Sequence, residues 1–277
     1  MDSIRKESVA GMFYPADPAV LSADINRFLS GKKSVSFQNP VSAIVCPHAG
    51  YVYSGDCAAS SFHAISKSDF DVAVIIAPSH HSNDFIFSQG KYSHFQTPLG
   101  NVKVNQSWLS ELDNYPEFHF SSYAHQKEHA LEVQLPFLQM VKPSAEIVPI
   151  LFGQQTLENG IRLAQIIHEI QAKRKDKIMI IISTDLSHYH PQPIAEKLDL
   201  RLQADLEALS EESLYEDYMS RSLEACGIGG LFFLIAWSKY LTYPTFTTLQ
   251  YSHSGMVNQD YAQVVGYLSG ALSGGIN

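Results

Sequence analysis

Three short apolar runs, rich in β-branched residues, each end in a turn that contains a histidine. The runs cover residues 43–46, 72–77 and 178–182, and the turns after them carry His48, His80 and His188. Apolar runs without alternation are typical of strands that are covered on both faces, as in a parallel sheet. This feature constrains the fold most, because parallel strands need long crossover connections, which are usually helices.

The segments between these runs carry the expected helical patterns. Apolar residues recur at helical spacing in residues 57–65, 128–138 and 157–170, and a fourth apolar run covers residues 147–152. Alternation of strands and helices predicts an α/β fold, here a three-layer α/β/α domain with a central, mostly parallel sheet. No stretch rich in Pro, Gly or Ser marks a boundary, so we expect one domain over residues 1–277.

Local signals predict six further elements outside this repeating core. Asp17 and Pro18 have the residue types of an N-cap and a first helical position. A hairpin or turn is expected in residues 97–104, and two strands near the carboxyl end in residues 245–251 and 262–268. A helix beginning at Pro193 should carry an apolar stripe, and residues 227–237 should form a buried helix. The predicted stripe consists of Ile194, Leu198, Leu202, Leu206 and Leu209.

Composition excludes several classes of protein. The formal net charge is −9, and the one basic run, residues 173–177, follows a predicted helix, so nucleic-acid binding is not expected. No apolar run reaches membrane-spanning length, and residues 1–6 are polar with no signal-peptide core after them. Three cysteines are too few for a disulfide framework, which predicts a reducing, cytoplasmic location.

The histidine turns predict a functional site. Open α/β sheets bind ligands beyond the carboxyl ends of their strands, where His48, His80 and His188 would converge. Two imidazoles and one anionic ligand are typical of a metal site with open positions, as in non-haem Fe(II) enzymes. From the residues alone, either Cys226 or Asp185 serves as the anionic ligand.

Cys226 has two interpretations of equal weight. It lies in a glycine-rich turn that opens an apolar helix, and a helix N-terminus lowers the pKa of a thiol and favours the metal-binding thiolate. The alternative is an inert buried cysteine. Cys46, inside a predicted strand, and Cys57, on a predicted helix, are interpreted as packing residues.

His188 is interpreted as a general acid/base, because imidazole is the side chain most easily poised near neutral pH. Asp185 would orient His188 or a liganding histidine, although a loop cap is a fair alternative for it. His81, next to His80, is expected to point away from the site or to support it from behind.

The segment that contains Glu128, His129 and Glu132 opens a predicted helix. Glu128 and Glu132 share one helical face, and such a cluster would support the metal ligands or contact substrate. The plainer alternative is a pair of acidic residues that complement the helix N-terminus.

These motifs resemble those of the Memo-like proteins, a family named for a eukaryotic mediator of cell motility. Its prokaryotic members are called protein B of the AmmeMemoRadiSam system. The resemblance rests on five motifs in the family's order and covers nearly the whole chain. The motifs are Pro47-His48-Ala49-Gly50-Tyr51, Pro78-Ser79-His80-His81, Glu128-His129-Ala130-Leu131-Glu132, Ser183-Thr184-Asp185-Leu186-Ser187-His188 and Cys226-Gly227.

The resemblance implies a fold similar to class III extradiol dioxygenases. It also implies that His48, His80 and Cys226 are the metal ligands, and that His188 occupies the position of the dioxygenase acid/base. Cys226 stands where those enzymes have a carboxylate, and a soft thiolate ligand suits copper or zinc as well as iron.

The sequence therefore predicts a metal-dependent, dioxygenase-like redox protein with one divalent metal. Fe(II) is favoured over Cu or Zn. In this scheme Tyr51 or Ser79 orients bound groups, and the substrate is a small oxidisable molecule. A non-catalytic site for a metal or a phosphopeptide is the alternative, and a metal-free thiol enzyme with Cys226 as nucleophile is a third. A radical enzyme or another protein partner is compatible with the resemblance.

Overall fold

The computed structural model describes residues 3–276, and its helices and strands alternate along most of the chain. In chain order the elements are β1 (Ile4–Arg5), α1 (Pro18–Ser30), β2 (Val41–Cys46), α2 (Tyr51–Ile65), β3 (Val72–Pro78), β4 (Phe87–Gln89), β5 (His94–Thr97), β6 (Gly100–Lys103), α3 (Gln106–Leu112), β7 (Phe118–His119), α4 (Ser122–Gln126), α5 (His129–Glu132), α6 (Gln134–Val141), β8 (Glu146–Phe152), α7 (Leu157–Ala172), β9 (Ile178–Ser183), β10 (His188–His190), α8 (Gln192–Ala208), α9 (Glu211–Met219), α10 (Ile228–Ser238), β11 (Leu241–His253), α11 (Gly255–Asn258) and β12 (Val264–Ile276).

Within residues 3–276, the main sheet has nine strands and is parallel at its centre. Its order is β10-β12-β2-β9-β3-β8-β4-β7, and β11 pairs with β12. The adjacent strands β2, β9, β3 and β8 run parallel, and β12 joins β2 in the antiparallel direction. The predicted α/β class, with a sheet built around parallel strands, is confirmed.

Helices cover the sheet because its central strands are apolar on both faces. Every residue of β3 is buried, and so is every residue of β9. Helix α10 is buried along its whole length, as predicted, and packs against α7. Gly160 allows this close contact, since a Cβ there would lie 2.6 Å from the Cβ of Phe232.

Several local predictions are confirmed. The side chain of Asp17 caps α1 by accepting from Ala19 N and Val20 N, and Pro18 is the first residue of the helix. The hairpin expected in residues 97–104 is β5–β6, which begins earlier than predicted, at His94, and forms a second, small sheet with β1. The two strands near the carboxyl end exist and are longer than predicted.

Two helical predictions need correction. The single helix predicted over residues 128–138 is two short helices, α5 and α6, with Val133 between them. On α8, Leu202 and Leu206 are buried as predicted, but Ile194 is 50% exposed. Ala195 and Asp199 are buried as well, and the carboxylate of Asp199 accepts from the backbone N–H of Ser187.

Among the residues from 3 to 276, the helices are all too short or too polar to cross a membrane.

Candidate metal centre at the carboxyl edge of the sheet

The parallel strands bring three of the predicted site segments to one edge of the sheet. Strand β9 lies between β2 and β3, and Cys46 at the end of β2 is the register partner of Ser183 at the end of β9. The segments that leave these strands therefore emerge side by side. They carry His48, Asp185 and His80.

His48 is buried, and its ring is held from one side by hydrogen bonds. Its Nδ1 lies 2.9 Å from Oγ of Ser183, and its backbone N–H donates to Oδ1 of Asp185 at 2.7 Å. Burial lowers the pKa of His48 to about 3. The ring is therefore neutral near pH 7, the form in which imidazole binds a metal.

His80 is held by a buried carboxylate. Its Nδ1 donates to Oε1 of Glu128 at 2.8 Å, and its backbone N–H donates to Oε2 of Glu128 at 2.7 Å. Burial disfavours the charged forms of His80 and Glu128, but the attraction between the two charges outweighs this effect. The pKa of His80 is raised, and the hydrogen bonds to Glu128 lower the pKa of that carboxyl to about 2. Such a carboxylate–imidazole pair leaves Nε2 of His80 free to bind a ligand.

His129 completes a group of three imidazoles, which we call the histidine cluster. One ring nitrogen from each of His48, His80 and His129 lies within 4.8 Å of the other two. The ring of His129 stacks on that of His80, with centroids 4.7 Å apart, and meets His48 edge-on. Burial and the neighbouring His48 lower the pKa of His129 to about 4. His129, predicted only to support the site, therefore stands among the candidate ligands.

Cys226 lies beside His48, on the segment that precedes α10. Its Sγ is 3.1 Å from Nε2 of His48 and accepts a hydrogen bond from the backbone N–H of Asp185 at 3.2 Å. Burial, with the nearby charge of Asp185, raises the pKa of the Cys226 thiol. The expected lowering by a helix N-terminus is therefore wrong, because desolvation of the thiolate outweighs the dipole. Cys226 is a thiol near neutral pH until something replaces its proton.

Asp185 binds the backbone on both sides of the site. Besides accepting from His48, its own carbonyl accepts from the backbone N–H of Cys226 at 3.2 Å. It is 4% exposed, and burial raises its pKa. Asp185 thus ties the segments of two ligand candidates together, a positioning arrangement rather than direct orientation of the His188 ring.

His188 lies on the short strand β10. Its Nδ1 donates to the carbonyl of Leu186 at 2.7 Å, so its Nε2 is the atom left to take up or release a proton. The next residue, Tyr189, has φ of 61° and is 69% exposed. This left-handed backbone turns the tyrosine outward while His188 remains half-buried.

Three other predicted residues take different places. Tyr51 is buried in the core, where its hydroxyl donates to the carbonyl of Val133 at 2.7 Å. His81 is exposed and donates through Nε2 to the carbonyl of Lys127 at 3.1 Å. Ser79, next to His80, has a buried Oγ without a hydrogen-bond partner among the described residues.

Glu132 belongs to a buried network with the N-terminal segment. It forms an ion pair with Arg5, and its carboxylate also accepts from Ser8 N, Val9 N and the hydroxyl of Tyr14. Arg5 in turn donates to the carbonyl of Glu128 at 2.8 Å. Glu132 therefore anchors α5 to the N-terminal segment and does not contact the histidine cluster as a substrate residue would.

Three residues that hold this site carry no functional signal in the sequence: Ser183, Gln134 and Arg5. Ser183 ends an apolar strand, and nothing in its neighbourhood marks it as a partner of His48. Gln134 follows a helical pattern, and only its full burial between two other segments reveals its contacts.

The donor set fits a bound transition metal. Two imidazoles have Nδ1 engaged and Nε2 free, and a thiol sulfur lies 3.1 Å from one of those Nε2 atoms. Two donors bonded to one tetrahedral ion at about 2.0 and 2.3 Å are roughly 3.5 Å apart, so this nitrogen and this sulfur lie close enough for one ion to bind both. The side chains of His80 and His129 are 31% and 22% exposed, which leaves a path from solvent.

Comparison with known proteins identifies the class of this fold and site. The family model described as Memo-like protein matches residues 5–271, and the chain belongs to this family. MEMO1 family proteins of three prokaryotes are similar over nearly the full length of both chains. The protein of Methanobrevibacter smithii is 36% identical over 96% of this chain and 99% of its own length. Those of Methanocaldococcus jannaschii and Thermotoga neapolitana are each 34% identical, over 97% and 98% of this chain and 99% and 100% of theirs.

Among solved structures, an uncharacterized protein of Escherichia coli K12 aligns with a TM-score of 0.49 and 10% identity, covering 84% of this chain and 99% of that one. This likeness is too low to support an argument.

Proposed function

We propose that this protein binds one divalent metal, with Fe(II) favoured over Cu or Zn, and carries out redox chemistry on a small oxidisable substrate. The observation that carries the proposal is the pairing of each Nδ1 of His48 and His80 with a buried oxygen. This arrangement presents both Nε2 atoms as ligands. Membership of the Memo-like family and the histidine cluster support a metal-binding protein.

We assign the third ligand to Cys226 rather than His129. Its sulfur lies 3.1 Å from Nε2 of His48, and the Asp185 N–H that points at it stabilises a thiolate. His129 instead stacks on His80 and forms a wall of the site. A set of two imidazoles and one thiolate suits iron, copper and zinc, and a bound iron would supply oxygen and electron-transfer chemistry.

The remaining side chains are proposed to position substrate and move protons. His188 takes up or releases a proton at Nε2, since its Nδ1 is engaged by Leu186. The unpartnered Oγ of Ser79 orients a polar group of the substrate, and the edge of Phe13, whose ring lies 4.8 Å from that of His129, supports an aromatic one. We also propose a cytoplasmic location, where reduced thiols and ferrous iron persist.

The test is metal analysis of protein purified anaerobically, beside single alanine variants of His48, His80, Cys226 and His129. We expect about one metal per chain in the parent protein, lost in the first three variants and retained in His129→Ala. Loss in His129→Ala with retention in Cys226→Ala would replace our ligand set by the histidine cluster. A parent protein that holds no metal, even after incubation with Fe(II), refutes the proposal.

A second candidate function is capture of a metal or a peptide without turnover. It is favoured by exposed aromatic side chains in segments next to site residues, including Tyr53, Tyr189 and Tyr261, which are 39%, 69% and 46% exposed. Aromatic residues are enriched where proteins bind partners. Saturable binding of a phosphopeptide to metal-loaded protein that consumes no oxygen would favour this function over the first. A radical enzyme as partner is a further proposal, tested by co-purification.

A further inference from the structure

The hydrogen bonds around Ser183 determine which nitrogen of His48 carries the proton. Oγ of Ser183 has three partners: the carbonyl of Ala130 at 2.7 Å, Nε2 of Gln134 at 2.9 Å and Nδ1 of His48 at 2.9 Å. A serine hydroxyl has one proton to donate and two lone pairs. The carbonyl of Ala130 only accepts, so the single proton of Ser183 is directed there.

The orientation of Gln134 removes the remaining freedom. Its Nε2 also donates to the carbonyl of Pro47 at 3.0 Å, and a reversed amide would place two acceptors against each other. Gln134 is therefore a donor to Ser183 and occupies one lone pair. The other lone pair is left for His48, whose Nδ1 has to be the protonated nitrogen.

Burial enforces this pattern of hydrogen bonds. Ser183, Gln134 and His48 are 1%, 1% and 2% exposed, so water does not substitute for a lost partner. The other tautomer of His48 would set two acceptors face to face at 2.9 Å and leave the Nδ1 lone pair without a donor. It would also place a proton on Nε2, the atom that faces Cys226.

We infer that Ser183 and Gln134 are positioning residues that hold His48 as the Nδ1-protonated tautomer, with the Nε2 lone pair facing the metal centre. Glu128 does the corresponding task for His80 with a full negative charge. A neutral hydroxyl thus fixes the tautomer of His48, whereas a carboxylate fixes that of His80. The tautomer of His48 does not depend on the proposed function. Only the consequence that metal affinity depends on Ser183 rests on that function.

The test begins with the metal-free protein, in which long-range ¹H–¹⁵N NMR spectra report the tautomer of each histidine. We expect His48, assigned by the loss of its signals in His48→Gln, to be protonated at Nδ1 only. Ser183→Ala should lose this preference and Ser183→Thr, which keeps the hydroxyl, should retain it. Ser61→Ala is the matched control, since Ser61 is equally buried and donates to the carbonyl of Val45.

Zinc titration of the same variants gives the second measurement. Ser183→Ala should bind zinc about 10- to 100-fold more weakly than the parent, as for other partners of liganding histidines, and Ser61→Ala should be unchanged. If Ser183→Ala does not fold, Gln134→Met takes its place, because it removes the donor to Ser183. This variant should also weaken the preference of His48 for the Nδ1-protonated tautomer.

A His48 protonated at Nε2 in the parent protein overturns the inference, as does an unchanged tautomer in both variants. A parent protein with the expected tautomer but no metal affinity would instead refute the proposed function and leave this inference intact.

Discussion

The ion pair between Arg5 and Glu132 should stabilise the protein far more than a surface pair does. The side chains of the two residues are 2% and 0% exposed, and Glu132→Gln removes the negative charge while it keeps the shape. The guanidinium of Arg5 then stays buried without its counter-charge. Breaking a buried pair in this way costs about 3–5 kcal/mol of the free energy of unfolding.

Urea denaturation measures this cost directly. With a slope of about 3 kcal/mol per molar urea, the midpoint of unfolding should fall by about 1 to 1.7 M in Glu132→Gln. Asp24→Asn is the control, because Asp24 pairs with Arg27 on the exposed face of α1, with side chains 35% and 66% exposed. That variant should lose less than about 1 kcal/mol, or about 0.3 M in the midpoint.

The two variants together decide whether burial governs the strength of the pair. Equal midpoints for Glu132→Gln and Asp24→Asn would refute the reasoning. A large loss in Glu132→Gln should also weaken zinc binding, because Arg5 holds the carbonyl of Glu128, and Glu128 holds His80.

Three further predictions concern the metal centre. Because burial raises the pKa of Cys226, metal binding near pH 7 should release about one more proton from the parent protein than from Cys226→Ala, and binding should strengthen as pH rises; calorimetry in buffers of different ionisation enthalpy measures this. No proton release, or equal release in Cys226→Ala, would contradict it. Glu128→Gln should weaken metal binding about 10- to 100-fold and lower the pKa of His80, which NMR titration follows. His188→Gln should keep its metal content but lose about 10²- to 10⁴-fold of any oxygen consumption by the iron-loaded protein. An unchanged rate would remove His188 from the acid/base role.

The sequence predicts the sheet because burial on both faces leaves a pattern in the residues themselves. The runs that became β2, β3 and β9 are apolar without alternation, and each is followed by residues that let the chain turn. The position of His48 and His80 beyond strand ends follows from this pattern alone.

The partners of these histidines leave no such pattern. Ser183 and His48 are 135 residues apart in the chain, and Arg5 and Glu132 are 127 apart. Strand order and small shifts of register determine which residues meet across such separations. The local spacing of residues in the sequence predicts neither. For the same reason the residue types point to Cys226, whereas the structure also places His129 beside His48 and His80.

The buried face of α8 shows a different limit. Its leucine spacing predicts a stripe from Ile194 onward, but the stripe turns toward Asp199, whose carboxylate accepts the backbone N–H of Ser187 at 3.0 Å. Apolar periodicity does not register a buried polar residue of this kind, so it places Ile194 rather than Ala195 on the buried face.

The place of β9 between β2 and β3 has a consequence for how the protein assembles. During synthesis β2 and β3 emerge long before β9, yet they do not pair with each other in the finished sheet. The centre of the sheet closes only when β9 inserts, and non-local pairings of this kind slow folding. The edge that carries His48 and His80 is therefore incomplete until β9 pairs with both β2 and β3. In contrast to a zinc finger, whose ligands come from one short segment, this site depends on pairings between distant parts of the chain.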